Sequence, residues 1–173
     1  ALTPSNLKSN WSIDLKMKLH IEWSRPVVLR DASRENYIYK ADIEKLPSAP
    51  GIYIFGRRWG RGQFEALYVG KANRIKGRVN GHFNNLQLMQ HLRNAKNGKR
   101  IILAGKFVPK PGQQLGKCLK MIERGFIRYF LSEGHDLVNK QGTRLRRHAI
   151  TSSGKHPKRF FPRLMYVDKA KGE

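Results

Sequence analysis

Two arginines and a histidine recur at steps of four residues in a segment with helical spacing. They are Arg74, Arg78 and His82, and Lys71 lies about one turn before Arg74. On an α-helix these side chains share one edge, where like charges repel by about 0.2–0.5 kcal/mol per pair. Guanidinium groups bind phosphate oxygens, and an imidazole can accept a proton near neutral pH. The edge therefore suits an anion, although an exposed basic face would show the same spacing.

A single carboxylate interrupts an otherwise apolar segment nearer the C-terminus. Glu123 lies within Leu115–Leu131, which is mostly apolar and reads as a helix. A carboxylate in such surroundings is costly unless it is paired. Glu123 could hold a hard divalent cation, which prefers oxygen ligands, or form a salt bridge with Lys120, Arg124 or an arginine from another element.

The balance of charge indicates a polyanionic partner. Among 173 residues, Lys and Arg number 35 against 12 Asp and Glu, which gives a formal net charge of +23. No acid occurs between Glu65 and Glu123, and a second acid-free stretch runs from Leu137 to Val167. Solubility does not require the removal of carboxylates over such lengths, whereas a surface that follows phosphates benefits from it. Nucleic acid is therefore the expected partner.

Composition excludes several classes of protein. Cys118 is the single cysteine, so an internal disulfide and a zinc site built on several thiolates are both excluded. Hydrophobic residues make up 39% of the chain and aromatic residues 10% of it. This content favours a folded domain over a basic disordered tail. Neither a membrane span nor a basic-then-apolar leader is recognisable. We expect a cytoplasmic protein of bacterial or phage origin, without a membrane partner.

The elements that must position these residues can be predicted from periodicity. Strict alternation predicts a half-buried strand over 15–23, and two runs rich in β-formers predict a hairpin. Helical spacing predicts three helices, and the basic tail from Asn139 is expected to be irregular with one short strand. The predicted hairpin strands are Gly51–Phe55 and Ala66–Gly70, the helices are Lys71–Phe83, Gln87–Lys96 and Leu115–Leu131, and two further strands are Ile101–Val108 and Leu164–Val167.

Two basic regions are candidates for gripping nucleic acid. The hairpin loop and the C-terminal tail both place arginines or lysines close together. Trp59 could stack on a base or wedge a groove, and it could equally anchor the loop. The candidate contacts are Arg57, Arg58, Trp59 and Arg61 in the loop, Arg74 on the predicted helix, and Arg144, Arg146, Arg147, Lys155, Lys158 and Arg159 in the tail.

Two tripeptides and the residues after them resemble the signature of a known family. Gly51-Ile52-Tyr53 and Tyr68-Val69-Gly70 are similar to the paired motif of the GIY-YIG endonucleases, with Val69 in place of the second Ile. The resemblance covers roughly residues 49–140. Its further matching positions, in chain order, are Lys71, Ala72, Asn73, Arg78, His82, Glu123, Phe126, Ile127 and Asn139.

The resemblance implies an α+β fold, a small three-stranded antiparallel β-sheet flanked by helices. The module would occupy 49–140, between an N-terminal extension over 1–48 and a basic C-terminal extension over 141–173. It further implies a phosphodiesterase that uses one Mg²⁺ or Mn²⁺ and acts on double-stranded DNA. Asn139 matches the asparagine that closes the family's module.

Roles for the matching residues follow from the same resemblance. Glu123 would hold the metal, and Arg78 would neutralise charge on the phosphoryl oxygens. The water would be deprotonated by Tyr53, its phenolic pKa lowered by Lys71, or by His82. Tyr68 would orient the nucleophile or a phosphate. Both tyrosines could instead be core aromatics, which is the usual role of Tyr in a strand.

Three functions fit this sequence. The first is a DNA endonuclease of the restriction or mobile-element kind, which could dimerise around a palindromic site. The second is a non-specific DNase toxin domain, secreted or injected into rival cells and matched by an acidic immunity protein. The third is a nucleic-acid-binding protein that keeps the fold without turnover. The presence of the tyrosines, Arg78, His82 and Glu123 together argues against the third.

Overall fold

A computed structural model describes residues 18–138, 147–155, 157, 159–161 and 163–168. Within these residues the chain has an α+β architecture, with antiparallel sheets and three α-helices. No helix in the described ranges combines the length and the apolar character needed to cross a membrane.

Three long antiparallel strands form the centre of the main sheet. They are β5 (Gly51–Trp59), β6 (Gln63–Ala72) and β7 (Lys99–Val108), with β5 in the middle. The predicted hairpin and third strand are confirmed, and the hairpin strands are longer than expected because polar residues on both sides of the turn continue the pairing. The register places Tyr53 opposite Gly70 and Ala104.

The prediction of a three-stranded sheet is wrong, because the main sheet has five strands. Strands β1 (His20–Trp23) and β2 (Val27–Val28) both pair with the outer edge of β7. The end of the strand predicted over 15–23 is thus confirmed from His20 onward, and residues 15–17 lie outside the described part. These strands cover backbone groups of β7 that a three-stranded sheet would leave unpaired.

A short ribbon follows along the N-terminal extension. It is formed by β3 (Arg30–Asp31) and β4 (Tyr39–Lys40). A 3-10 turn at Ser33–Glu35 lies in the connection between the two strands, and another at Ile43–Lys45 lies between β4 and the main sheet. The apolar residues Ile43 and Leu46 suggest a short helix in the sequence, and the structure forms a single 3-10 turn there. The domain boundaries at residues 48 and 140 stay predictions.

Helices cover both faces of the sheet. Helices α1 (Ile75–His82) and α2 (Leu86–Asn94) lie on one face, and α3 (Leu115–Ser132) lies on the other. Alternation along β5 separates two cores, because Tyr53 and Phe55 pack with α1 and α2 while Ile52 and Ile54 pack with α3. Side chains from the two layers can therefore meet only at an end or an edge of the sheet.

A β-bulge in β6 changes which way its side chains point. Phe55 lies opposite Tyr68 but Gly56 lies opposite Ala66, so Leu67 is the extra residue. Consequently Leu67 and Tyr68 both pack on the side of α1. The segment after α3 is bound at this bulge, since the Val138 N–H donates to the Leu67 carbonyl at 2.8 Å. Bulges commonly re-aim side chains beside functional sites.

The C-terminal extension contains a second sheet. Strand β8 (Arg147–Thr151) pairs antiparallel with β9 (Leu164–Asp168). The predicted strand at Leu164–Val167 is confirmed, whereas the expectation of an otherwise irregular tail is wrong at Arg147–Thr151. The alternation of polar and apolar residues that indicates a strand is hard to recognise at Arg147–Thr151, because a run of basic residues precedes that segment.

Replacement of Gly70 by alanine should destabilise the fold. A Cβ at this position would overlap the Cζ and hydroxyl of Tyr53, which crosses over the glycine. We expect the free energy of unfolding to fall by about 1–3 kcal/mol, the usual cost of overpacking. Urea denaturation measures the change, and Gly116→Ala, where the added methyl meets open space, is the matched control. Equal stability of the two variants would contradict this packing.

Candidate active site

A tyrosine and a histidine form a buried hydrogen-bonded pair. The Tyr53 hydroxyl lies 2.6 Å from Nε2 of His82, and the two residues are 1% and 7% exposed. Strand β5 supplies Tyr53 and the last turn of α1 supplies His82. The apolar stripe of α1, Ile75 and Val79, packs on the sheet and so brings the histidine over the strand.

Tyr68 completes an aromatic group around this pair. Its ring stacks near Tyr53 with centroids 6.1 Å apart, and it meets the edge of the His82 ring at 4.9 Å. Tyr68 is less buried than Tyr53, because the bulge at Leu67 turns it toward the α1 side at the margin of the core. The geometry brings together both tyrosines and the histidine predicted from sequence.

The environment keeps both members of the pair neutral. Burial raises the pKa of Tyr53 well above its usual range, the neighbouring Tyr68 raises it further, and Arg78 opposes the rise. Burial also lowers the pKa of His82 to about 4, with a further contribution from the Arg78 charge. We therefore assign the Tyr53 O–H as donor and Nε2 of the neutral imidazole as acceptor.

This result corrects one sequence-based expectation. A Tyr53 phenol with its pKa lowered by Lys71 does not fit a site in which burial raises that pKa. The sequence leaves Tyr53 and His82 as alternative proton acceptors. In the structure the two side chains are hydrogen-bonded to each other, so they form one pair.

The carboxylate of Glu123 reaches the end of β6 from the opposite face of the sheet. Its Oε2 accepts a hydrogen bond of 3.0 Å from the Lys71 N–H. Among the residues that the structure describes, Glu123 makes no ion pair, so the salt bridge to Lys120 or Arg124 is not formed. The described residues also contain no group of three or more His, Cys, Asp or Glu arranged for a metal. A metal at this place would depend on one protein carboxylate.

A basic cleft lies where β6 passes into α1. Its volume is about 520 Å³. Leu119 lies one helical turn before Glu123 and borders the cleft, so α3 forms one wall. Arg74 and Arg78 are exposed on the other side, and no acidic residue lines it. The full lining is Lys71, Ala72, Asn73, Arg74, Gly77, Arg78 and Leu119.

The hairpin loop residues do not all face solvent. Arg57 is 5% exposed, and its guanidinium donates to both carboxylate oxygens of Glu65 and to the Asn97 carbonyl. The same guanidinium lies 3.9 Å from the ring centroid of Trp59. These contacts favour an anchoring role for Arg57 over the predicted contact with phosphate, and an anchoring role for Trp59 over stacking on a base. Arg58 and Arg61 are exposed.

The basic tail residues fall partly outside the described chain. Lys155 and Arg159 are exposed in the connection between β8 and β9, and Arg147 begins β8. Lys155 and Arg159 are not among the residues that line the cleft at Lys71 and Arg78. Four predicted residues, Asn139, Arg144, Arg146 and Lys158, lie outside the described residues.

Two further features shape the site, one visible in the sequence and one not. Gly77 lines the cleft, and an added Cβ there would meet nothing within 4 Å. The sequence does show a glycine inside a helical pattern, which permits close approach of another backbone. The second feature is His135, whose Nδ1 accepts a hydrogen bond of 2.8 Å from the Ala66 N–H beside the bulge. No sequence signal identifies that contact, because 69 residues separate its partners.

Comparison with known proteins gives one partial similarity. The UvrABC system protein C of Chlorobium phaeobacteroides is 34% identical to this chain over 64 residues, which are 37% of this chain and 8% of that protein. The chain therefore spans a small part of its relative's length. No family model matches the chain, and no solved structure matches it. The similarity is compatible with the GIY-YIG resemblance and hints at a nuclease-related function.

The protonation of His82 can be tested directly. We expect its imidazole to stay neutral until the pH falls to about 4, because burial and Arg78 lower its pKa. NMR titration of the ring nitrogens measures the midpoint, and loss of the signal in His82→Gln assigns it. The pKa of His135 is also lowered by burial, so this assignment step is essential. A His82 midpoint near 6.5 would contradict the buried neutral pair.

Proposed function

We propose that this protein is a divalent-metal-dependent endonuclease that hydrolyses phosphodiester bonds in DNA. The observation that carries the proposal is the convergence of two site halves on one basic cleft. Arg78 lines the cleft and acts electrostatically on both Tyr53 and His82, while Glu123 bonds to Lys71 on the same lining. A proton-accepting pair and a carboxylate that each interact with a residue lining one basic cleft suit hydrolysis of a phosphodiester.

The similarity to UvrABC system protein C supports this reading. That protein contains a GIY-YIG domain, and the aligned part is short enough to correspond to a single module. The net charge of +23 supports a nucleic-acid substrate independently of any relative.

The residues present fit an Mg²⁺ or Mn²⁺ ion. One oxygen of Glu123 is oriented by the Lys71 N–H, and no cation of the described chain neutralises the carboxylate through an ion pair. Mg²⁺ is commonly held by one or two carboxylates together with waters and substrate phosphates. Glu123 would hold the ion here. The chemistry that the ion supplies when bound is polarisation of the scissile phosphate and stabilisation of the leaving 3′ oxygen.

The Tyr53–His82 pair activates the attacking water. Tyr53 takes a proton from water as its own proton passes to Nε2 of His82, so the phenol stays neutral throughout. This transfer avoids a buried phenolate, which the raised pKa of Tyr53 disfavours. The imidazolium that forms is stabilised by the negative charge growing on the phosphoryl oxygens.

The remaining residues position the substrate. Arg78 donates to the phosphoryl oxygens, where a guanidinium can form two parallel hydrogen bonds. Tyr68 borders the pair and orients the nucleophile. Lys71 contributes its main-chain N–H to Glu123 and its ammonium to the electrostatic field of the cleft.

Cleavage of supercoiled plasmid tests the proposal. With Mg²⁺ the protein should cut double-stranded DNA, and with EDTA it should not. Glu123→Gln should abolish cutting while DNA binding persists, because glutamine can still accept from the Lys71 N–H but carries no charge for the metal. Glu133→Gln, at an exposed position after α3, is the matched control and should cut normally.

The pattern of products distinguishes the biological roles. Discrete bands would support a restriction-like or mobile-element-like enzyme, for which a homodimer on a palindrome would provide two cuts. A metal-dependent smear would support a toxin domain with an acidic immunity partner. Retardation of the plasmid without cutting under either condition would overturn the catalytic proposal in favour of a binding protein.

Two glycines of α1 offer a test of how closely the substrate approaches. Gly77→Ala should raise the free energy of unfolding by about 0.5–1 kcal/mol, as alanine does in helices, yet reduce cleavage because its methyl enters the cleft. Gly81→Ala, which also points into open space but does not line the cleft, should stabilise without slowing cleavage. Thermal unfolding and initial cleavage rates separate the two effects. Equal cleavage by both variants would place the substrate away from Gly77.

A further inference from the structure

The connection between β8 and β9 presents an aromatic ring to solvent. Phe160 is 83% exposed, the highest value among the large hydrophobic residues of the described chain, and Phe161 beside it is 40% exposed. Burial of such a side chain is worth about 1.5–3 kcal/mol, and Phe160 realises little of it within the protein.

The backbone holds this ring at a defined position. The Ser152 N–H donates to the Arg163 carbonyl at 2.8 Å, which closes the base of the connection above the β8–β9 ladder. Farther out, the Phe160 N–H donates to the Pro157 carbonyl at 2.9 Å, so a tight turn presents the ring. The exposed aromatic is thus carried on a two-stranded ribbon whose turn is closed by its own hydrogen bonds.

The surroundings of the ring are cationic. Lys155, Arg159 and Arg163 are all exposed in the same connection. No acid occurs in the sequence between Asp136 and Asp168, so the ribbon up to its last residue carries a field of one sign. A partner must therefore offer negative charge on its outside and an apolar surface within reach. Duplex DNA does so, with phosphates flanking a stack of bases.

We propose that the β8–β9 ribbon is a second DNA-contacting surface, in which Phe160 inserts as a wedge between base steps while the flanking cations bind phosphates. This inference rests on the proposed function in taking double-stranded DNA as the partner. The ribbon would contact DNA outside the cleft, because none of the residues that line the cleft belongs to the ribbon. Insertion of an apolar side chain partly unstacks a step and unwinds the duplex, which a purely electrostatic contact does not do.

Plasmid topology measures this unwinding without knowledge of the binding site. The Glu123→Gln protein is bound to relaxed plasmid in EDTA, a type I topoisomerase that needs no metal is added, and the change in linking number is read on a gel. The parent should shift the topoisomer distribution. Phe160→Ala in the same background should bind duplex DNA about tenfold more weakly and, at equal occupancy, leave the distribution unshifted.

Three matched variants make the result specific. Phe160→Leu keeps an apolar wedge and should retain most of the shift. Leu86→Ala removes another exposed apolar side chain, 61% exposed on α2, and should shift like the parent. Arg159→Ala with Arg163→Ala should reduce the salt dependence of binding while retaining the shift at equal occupancy, since phosphate contacts set that dependence. Thermal unfolding of Phe160→Ala should match the parent because the ring is exposed.

Several results would overturn the inference. The first is that the parent binds plasmid without changing the linking number. The second is that Phe160→Ala changes the linking number as much as the parent does at equal occupancy. The third is that the protein binds tightly to single-stranded DNA alone. The proposed function is judged separately, by cleavage with the wild-type protein and Mg²⁺. Cleavage combined with an unchanged shift in Phe160→Ala would reject the wedge alone. A Phe160-dependent shift without cleavage would reject the nuclease and keep the wedge.

Discussion

One hydrogen bond, from the Lys71 N–H near the end of β6 to the Glu123 carboxylate, ties α3 to the sheet at the site. The sheet separates α1 from α3 everywhere else, and its two faces have separate cores. The carboxylate meets the sheet at Lys71, one residue before β6 ends and shortly before the chain enters α1. The position of the cleft is therefore a consequence of the layered fold, and shifting α3 by one residue would rotate Glu123 away from Lys71 by about 100°.

The site combines a neutral buried pair with a positively charged cleft. The Tyr53–His82 pair is neutral and buried, whereas the cleft above it is lined by cations without an acidic residue. A positive lining attracts phosphate and also disfavours a protonated His82, so the imidazole stays in its neutral form until negative charge enters the cleft. Glu65, an acid near the hairpin turn, is bonded to Arg57 and so adds little negative charge.

Much of the site could be predicted from the sequence, and the reasons differ by residue. Steps of four predicted a helical edge, and Arg78 and His82 do lie on α1, because helical periodicity is a local property. The predicted start of that helix at Lys71 is wrong, since Lys71 belongs to β6 and Arg74 is the extended residue that precedes α1. The strand pairs β1–β7 and β2–β7 could not be predicted, since edge pairing depends on where the chain returns after long intervals. The raised pKa of Tyr53 also escaped prediction, because it results from burial by residues distant in sequence. Contacts at the bulge, from His135 and Val138, have the same origin.

The bonds made by His135 and Val138 have a further consequence for β6, which forms one edge of the main sheet. An unpaired edge strand is a template on which a strand of another molecule can add. At Ala66 and Leu67 this template is already occupied, one backbone N–H by an imidazole and one carbonyl by the chain's own N–H. Intermolecular strand addition is thereby blocked at the bulge, and two copies that meet on DNA would have to associate through other surfaces than this stretch of edge.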